Sequence, residues 1–181
     1  TIITRLPHEG ETLATLDEVN RTLYPENILV TDTAGALSMG GIIGGAETEI
    51  SASTTNVLLE SASWNFINIR KTMQQQKVTT DAGIRFSRGV HPSQASNGVK
   101  RGIELMRQWG GGVVSKGVID YYPEPLAIVA LELPVREIKR LTGVEMNVET
   151  AADMLTRLQF GVTIEGDKLR VKVPEHRMDI D

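Results

Sequence analysis

The residues with most chemical potential lie between positions 40 and 82. Gly40-Gly41-Ile42-Ile43-Gly44-Gly45 is the most unusual local feature of the chain. It fits neither common phosphate-binding pattern. The glycines miss the zero, two and five spacing of a dinucleotide loop, and no Gly-Lys-Ser/Thr follows as in a P-loop. Glycines inside a strand pattern instead mark a bulge or a close backbone approach, so the choice is between strand packing and a pocket wall. Glu60 ends the apolar run Val57-Leu58-Leu59. A carboxylate there must be exposed, paired or functional. Thr79-Thr80-Asp81-Ala82 groups three hydrogen-bonding side chains, which suit a turn or a helix cap as well as a site.

Other candidates are more isolated. His8, His91 and His176 each stand alone, with no His-Glu-x-x-His and no close pair, which argues against a His-based metal or triad site. Asp179 and Asp181 could contribute to a hard-cation site, because Mg²⁺ takes a few carboxylates and retains water, or they could simply be solvated. The basic strips Arg70-Lys71, Lys100-Arg101-Arg107 and Arg136-Lys139-Arg140 suit solvated helix faces, with RNA phosphate contact as the second reading.

The composition sets limits on these choices. The chain has 181 residues, 40% hydrophobic and 23% charged, which suits one mid-sized soluble domain or two small ones. Aromatics at 4% leave little for a base-stacking platform. With no cysteine there is no disulfide framework, thiolate zinc site or cysteine nucleophile. A net charge of −4 argues against whole-surface capture of nucleic acid. No apolar run approaches the roughly 20 residues of a membrane span, and residues 1–12 carry no signal-peptide pattern. The chain opens in a strand pattern and stops without a cap or tail, which is expected of a piece of something longer.

The elements that must position these residues follow from periodicity and turn signals. Strands are expected at Thr1–Leu6, Thr12–Leu16, Arg21–Leu23, Ile28–Thr31 and Ala36–Ile43, with Val57–Leu59 as a buried central strand. Asn65 can cap a helix over 66–76, with Ile67, Ile69 and Met73 near one face. Residues 77–90 read as irregular or short strand. Val99, Ile103 and Met106 repeat at helical spacing behind a Ser93 cap, Gly110-Gly111-Gly112 stops that helix, and Val113–Tyr122 alternates as a strand.

Tyr122-Pro123-Glu124-Pro125 is the best linker. Beyond it come a strand at Ile128–Leu133, a helix from Pro134 to Thr142, a helix capped by Asn147, and a hairpin over 160–173. The expectation is an α+β fold with mixed or antiparallel sheets and a few helices in two modules. These cover residues 1–122 and 126–181, joined by 123–125.

Longer strings carry a resemblance. Met39-Gly40-Gly41-Ile42-Ile43-Gly44-Gly45 is followed by Thr54-Thr55-Asn56-Val57-Leu58-Leu59-Glu60-Ser61-Ala62 and then Ile69-Arg70-Lys71-Thr72. Thr80-Asp81-Ala82 with Arg85-Phe86, Arg88-Gly89-Val90, Gly111-Gly112 and Asp120-Tyr121-Tyr122-Pro123 come next. In this order the blocks closely resemble the beta subunit of bacterial phenylalanyl-tRNA synthetase over nearly the whole chain. Those to about residue 122 resemble the later part of its B3/B4 editing module. Leu141-Thr142-Gly143, Leu158-Gln159-Phe160-Gly161 and Val173-Pro174 with Arg177 and Asp179 resemble the start of its B5 domain.

The resemblance implies a cytoplasmic class II ligase of two alpha and two beta subunits. Its alpha subunit handles phenylalanine and ATP, and its B3/B4 module hydrolyses tRNA(Phe) wrongly charged with tyrosine. By that match Glu60 recognises the tyrosine hydroxyl, Gly44 leaves room for the substrate ring, and Thr80 and Ala82 line the pocket. Asp179 matches the first of several acidic residues that hold Mg²⁺.

The family's pocket histidine and other polar groups lie upstream of Thr1, and none of His8, His91 or His176 takes their place. Gln74-Gln75-Gln76-Lys77 departs from the family's basic, glycine-containing segment. ATP and Mg²⁺ are therefore expected of the parent enzyme and not bound to this piece, which is expected to be weak or inactive alone. Two alternatives stand beside the editing function: a non-catalytic structural or tRNA-binding module, and a glycine-loop nucleotide binder.

Overall fold

A computed structural model describes residues 1–180. It is an α+β structure of antiparallel sheets and helices in two compact units, Thr1–Ile119 and Asp120 onward. No helix among the described residues is long and apolar enough to cross a membrane.

The first unit begins with short strands. β1 (Ile3–Arg5), β4 (Leu29–Thr31), β5 (Ala36–Met39) and β6 (Ile43–Gly44) form one sheet in the order β1-β4-β5-β6. β2 (Thr12–Ala14) and β3 (Asn20–Thr22) pair as a hairpin. That hairpin joins the sheet edge through a Thr15–Gly45 bridge and a hydrogen bond from the Leu16 amide to the Gly44 carbonyl at 3.0 Å. β4 buries all three of its residues. Leu29, Met39 and Ile42 meet Leu13, Leu23, Ile69 and Val78 in the core. Burying one such side chain is worth about 1.5–3 kcal/mol.

Helix α1 (Phe66–Gln76) starts where predicted because the Asn65 side chain accepts from the Ile67 and Asn68 amides at 3.0 and 3.1 Å. It buries Ile69 and Thr72 and ends at Lys77 in the left-handed conformation. Polar groups fix its last turn to the strands. Asn27, fully buried, donates to Thr72 Oγ1 and Gln75 Oε1, and its Oδ1 accepts from the Tyr24 amide and Gln76 Nε2. Buried Arg21 donates to the Gln76 carbonyl at 2.8 Å, to Thr15 Oγ1 at 3.1 Å and to Asp17. A buried amide or guanidinium is tolerated when its donors are paired in this way.

Helix α2 (Asp81–Phe86) occupies a stretch predicted as irregular or short strand. Two things make it: Thr80 Oγ1 accepts from the Gly83 amide at 3.0 Å, and Gly83, without a Cβ, sits closely against Met73 of α1. Helix α3 (Gln94–Gly110) closes at Gly111 in the left-handed conformation. The expected Ser93 cap is replaced by a different contact, because Ser93 lies in the helical region and its hydroxyl meets His91 Nδ1 at 2.8 Å.

Two expected strands are absent. Val57–Leu59 and Val113–Tyr122 carry no strand, and Leu58, Val113 and Ile119 are 77%, 99% and 99% exposed. The β1-β4-β5-β6 sheet and the β2–β3 hairpin pair only with each other, so neither run finds a ladder to complete. Apolar alternation alone does not make a strand without a neighbour to satisfy its amides.

The second unit has β7 (Ala130–Pro134), α4 (Val135–Thr142), α5 (Val148–Arg157), β8 (Gly161–Glu165) and β9 (Lys168–Lys172). β9 lies between β7 and β8, all antiparallel. Its core joins Ala151, Phe160, Leu169, Val171 and Val173. Asn147 caps α5 by accepting from the Thr150 amide at 2.8 Å. Ala151 of α5 is buried, whereas Met154 and the C-cap residue Leu158 are exposed.

Candidate functional site

The Gly40–Gly45 loop is the structural centre of the candidate site. Gly41 has φ +69°, and a Cβ there would lie 2.4 Å from Trp64 Cδ1; one on Gly40 would lie 2.5 Å from Trp64 Cζ3. The first half of the glycine cluster therefore exists to let an indole lie against bare backbone. Phosphate binding is not needed to explain it. At Gly44, a Cβ would meet Leu16 Cδ1 at 2.9 Å, with no other side chain within 4 Å. The space beside Gly44 is thus bounded by Leu16, which is itself 47% exposed.

Thr80 reaches the same loop. Its hydroxyl donates to the Ile42 carbonyl at 2.8 Å and accepts from the Gly83 amide, so one side chain caps α2 and ties it to the glycine loop at Ile42. Ala82, in the first turn of α2, is exposed. The cap reading of Thr80 and its placement next to the glycine loop hold together.

Glu60 lies on the irregular stretch between β6 and α1, four residues before Trp64. No hydrogen bond or ion pair reaches its carboxyl among the described residues, and burial alone raises its pKa from the ordinary value. The residue as a whole keeps an exposed face, while the neighbouring chain crowds the carboxyl enough to remove part of its hydration. An unpaired, partly dehydrated carboxylate is suited to accept a hydrogen bond from a ligand hydroxyl. Trp64, four residues beyond Glu60, lies against Gly40 and Gly41, and Thr80 bonds the Ile42 carbonyl; no hydrogen bond or ion pair joins the Glu60 carboxyl to Thr80 among the described residues. Sequence reasoning missed Trp64 and Leu16. The one signal was an isolated tryptophan following a Gly-Gly pair, which no periodicity links.

A separate cleft of about 390 Å³ is lined by Glu11, Thr12, Asp32, Gly35, Gly45 and Glu47, among others. Glu60, Thr80 and Ala82 do not line it. Two of its carboxylates, Glu11 and Asp32, are engaged within the protein. Glu11 accepts both Arg5 donors at 2.7 Å, which holds its pKa down at about 2, and Asp32 accepts from the Ala34 and Gly35 amides.

In the second unit, Asp179 accepts a fork from Arg177 at 2.8 and 2.8 Å, which holds its carboxyl down at about 2. Asp181 lies outside the described residues. No group of three or more His, Asp or Glu among the described residues could hold a metal. One carboxylate already committed to arginine does not by itself fit a Mg²⁺ site.

Known proteins share both units. Residues 1–111 match the model of the B3/4 domain, and residues 131–181 match that of the tRNA synthetase B5 domain. The chain is 36% identical over 182 residues to the phenylalanine–tRNA ligase beta subunit of Cutibacterium acnes, covering 99% of this chain and 21% of that protein. The corresponding subunit of Halalkalibacterium halodurans is 34% identical over 183 residues, and that of Moorella thermoacetica 36% over 179, each with 99% of this chain and 22% of the relative. The chain spans about a fifth of the length of the curated relatives it matches.

Proposed function

The chain belongs to the B3/4 domain family, with a B5 domain behind it as in phenylalanine–tRNA ligase beta subunits, and from that membership we propose that it contributes the editing site of such a subunit. Its substrate is tRNA(Phe) wrongly charged with tyrosine. The working context is an assembly of two alpha and two beta subunits in the cytoplasm, a class II ligase. There ATP and Mg²⁺ serve the joining of phenylalanine to tRNA.

The observation that supports this reading best is the Glu60 carboxyl: unpaired, raised in pKa by burial, and carried on a segment anchored to the loop that also receives Thr80. Tyrosine and phenylalanine differ by one hydroxyl. A carboxylate that accepts from the phenol O–H gains a charge-assisted bond with the tyrosyl group and has no such partner on the phenylalanyl group. Sites built this way discriminate against the analogue lacking the hydroxyl by roughly 10⁴–10⁵-fold. Glu60 thus selects the substrate and does not act as the base.

The reaction is ester hydrolysis. A water oxygen bonds to the tyrosyl carbonyl carbon, the bond from that carbon to the terminal ribose oxygen breaks, and the ribose oxygen leaves with a proton. Tyrosine and free tRNA(Phe) result. Holding the ester and the water together supplies much of such a rate. The experiment is deacylation of tyrosyl-tRNA(Phe) by the full beta subunit in its assembly, wild type against Glu60→Ala. Loss of deacylation in the variant is expected, and unchanged deacylation would rule the reading out.

A further inference from the structure

Residues between the 3-10 turn Ala46–Thr48 and α1 form no helix or strand, so no backbone ladder holds Glu60 in place. Side-chain seats do this work instead. Leu59 and Ser61 flank Glu60 and lie against α3 where it lacks side chains. A Cβ on Gly102 would come 3.0 Å from Leu59 Cδ2, and one on Gly98 would come 2.7 Å from Ser61 Oγ. Those two glycines are one turn apart on the helix, on one face. Ser63 Oγ donates to the Val90 carbonyl at 2.6 Å.

The last seat, at Trp64, is the least yielding. Its six-membered ring covers Gly40, with Cζ3 and Cη2 at 2.5 and 2.6 Å from where a Cβ would stand. Its five-membered ring covers Gly41 in the same way, with Cδ1 and Cγ at 2.4 and 2.8 Å. Leu59 and Ser61 can rotate a terminal atom away. A rigid indole spanning two residues moves only as a body, and it carries its own backbone with it.

We infer that Trp64, seated on Gly40-Gly41, is a positioning residue for Glu60, holding the carboxylate in register with the loop that bears Gly44 and binds Thr80. This rests on the reading of Glu60 as the group that selects the tyrosyl hydroxyl. Trp64 acts by fixing where the chain beyond Glu60 returns to the glycine loop before entering α1, while Gly98 and Gly102 of α3 seat Ser61 and Leu59 on either side of Glu60.

Gly40→Ala is the sharpest test. Gly40 lies outside the left-handed region, so alanine fits its backbone and acts only by displacing the indole. In the full beta subunit within its assembly, kcat/KM for deacylation is measured with tyrosyl- and phenylalanyl-tRNA(Phe), alongside Tm. Gly40→Ala is expected to lower the tyrosyl-over-phenylalanyl ratio by about tenfold or more, since misplacement by an ångström can cost about a hundredfold. Adding Trp64→Phe to Gly40→Ala, which removes ring atoms from over the new methyl, is expected to restore part of the ratio, because the two contacting residues are coupled.

A folded Gly40→Ala protein with an unaltered ratio overturns the inference. If Gly40→Ala does not fold, Trp64→Phe alone takes its place: a ratio lowered about threefold supports the inference and an unaltered one overturns it. Glu60→Ala in the same assay separates the two layers. If it abolishes discrimination while Gly40→Ala leaves it intact, only the positioning role of Trp64 fails. If Glu60→Ala leaves discrimination intact, the assignment of Glu60 fails and the positioning role fails with it.

Discussion

Gln76 Nε2 donates to Asn27 Oδ1 at 2.8 Å, a bond between two buried side chains that ties the last turn of α1 to the segment entering β4. Asn27 uses both its donors and both its acceptor directions inside the protein, toward Thr72, Gln75, Gln76 and the Tyr24 amide. Asn27→Ala strips partners from several buried groups at once. The expected cost is about 2–4 kcal/mol of unfolding free energy. Urea unfolding checks it, with a lowered midpoint and an unchanged slope as the signature.

Thr80 serves two structures with one hydroxyl. Thr80→Val keeps the shape but loses the cap on Gly83 and the bond to the Ile42 carbonyl. It should cost about 1–2 kcal/mol and lower tyrosyl-tRNA deacylation, because α2 is no longer tied to the glycine loop. Thr80→Ser keeps the hydroxyl and should recover most of both. Denaturation and deacylation of the two variants side by side provide the check, and equal losses in Val and Ser variants would count against the role of the hydroxyl.

The raised pKa of Glu60 has a stability consequence of definite sign. Burial makes the folded state hold the Glu60 proton more tightly than the unfolded chain, whose ordinary value is 4.5. Stability is therefore undiminished below that pH and falls as pH rises through the folded value. Glu60→Gln, which cannot ionise, should melt higher than wild type at pH 7, with the gap closing below pH 4.5. Melting curves from acid to neutral pH would show this, and a lower Tm for Glu60→Gln at pH 7 would contradict it.

Glu11 behaves oppositely. The Arg5 fork lowers its pKa from 4.5 to about 2. Its contribution is present above the unfolded value of 4.5 and is lost as pH falls through the folded value of about 2. Glu11→Gln should cost about 1 kcal/mol near neutrality, since the pair is only partly shielded from water, and should be indistinguishable from wild type once pH falls below about 2. Stability measured across the acid range by denaturant titration tests the sign.

Sequence reasoning recovered the elements whose signals are local. Asn65 and Asn147 mark their helix starts by capping chemistry, and Leu169, Val171 and Val173 alternate into the second core as a strand should. It failed where a tertiary partner decides. Val57–Leu59 and Val113–Tyr122 have strand-like sequences but no adjoining strand, and α2 depends on Gly83 fitting against Met73.

The site shows the same division. Glu60 and Gly44 stand out as residue types in odd places, and Thr80 was legible as a cap. The contact of Trp64 with Gly40 was not legible, because it joins the two ends of an irregular stretch with no repeat to link them.

Selection of the tyrosyl hydroxyl by Glu60 underlies the whole functional reading. It is read out by the ratio of kcat/KM for tyrosyl- over phenylalanyl-tRNA(Phe) deacylation in the assembled enzyme, compared between wild type and Glu60→Ala. The ratio is expected to fall by about a hundredfold or more, driven by loss of the tyrosyl rate. A ratio equal to that of wild type would show that Glu60 does not select by the hydroxyl.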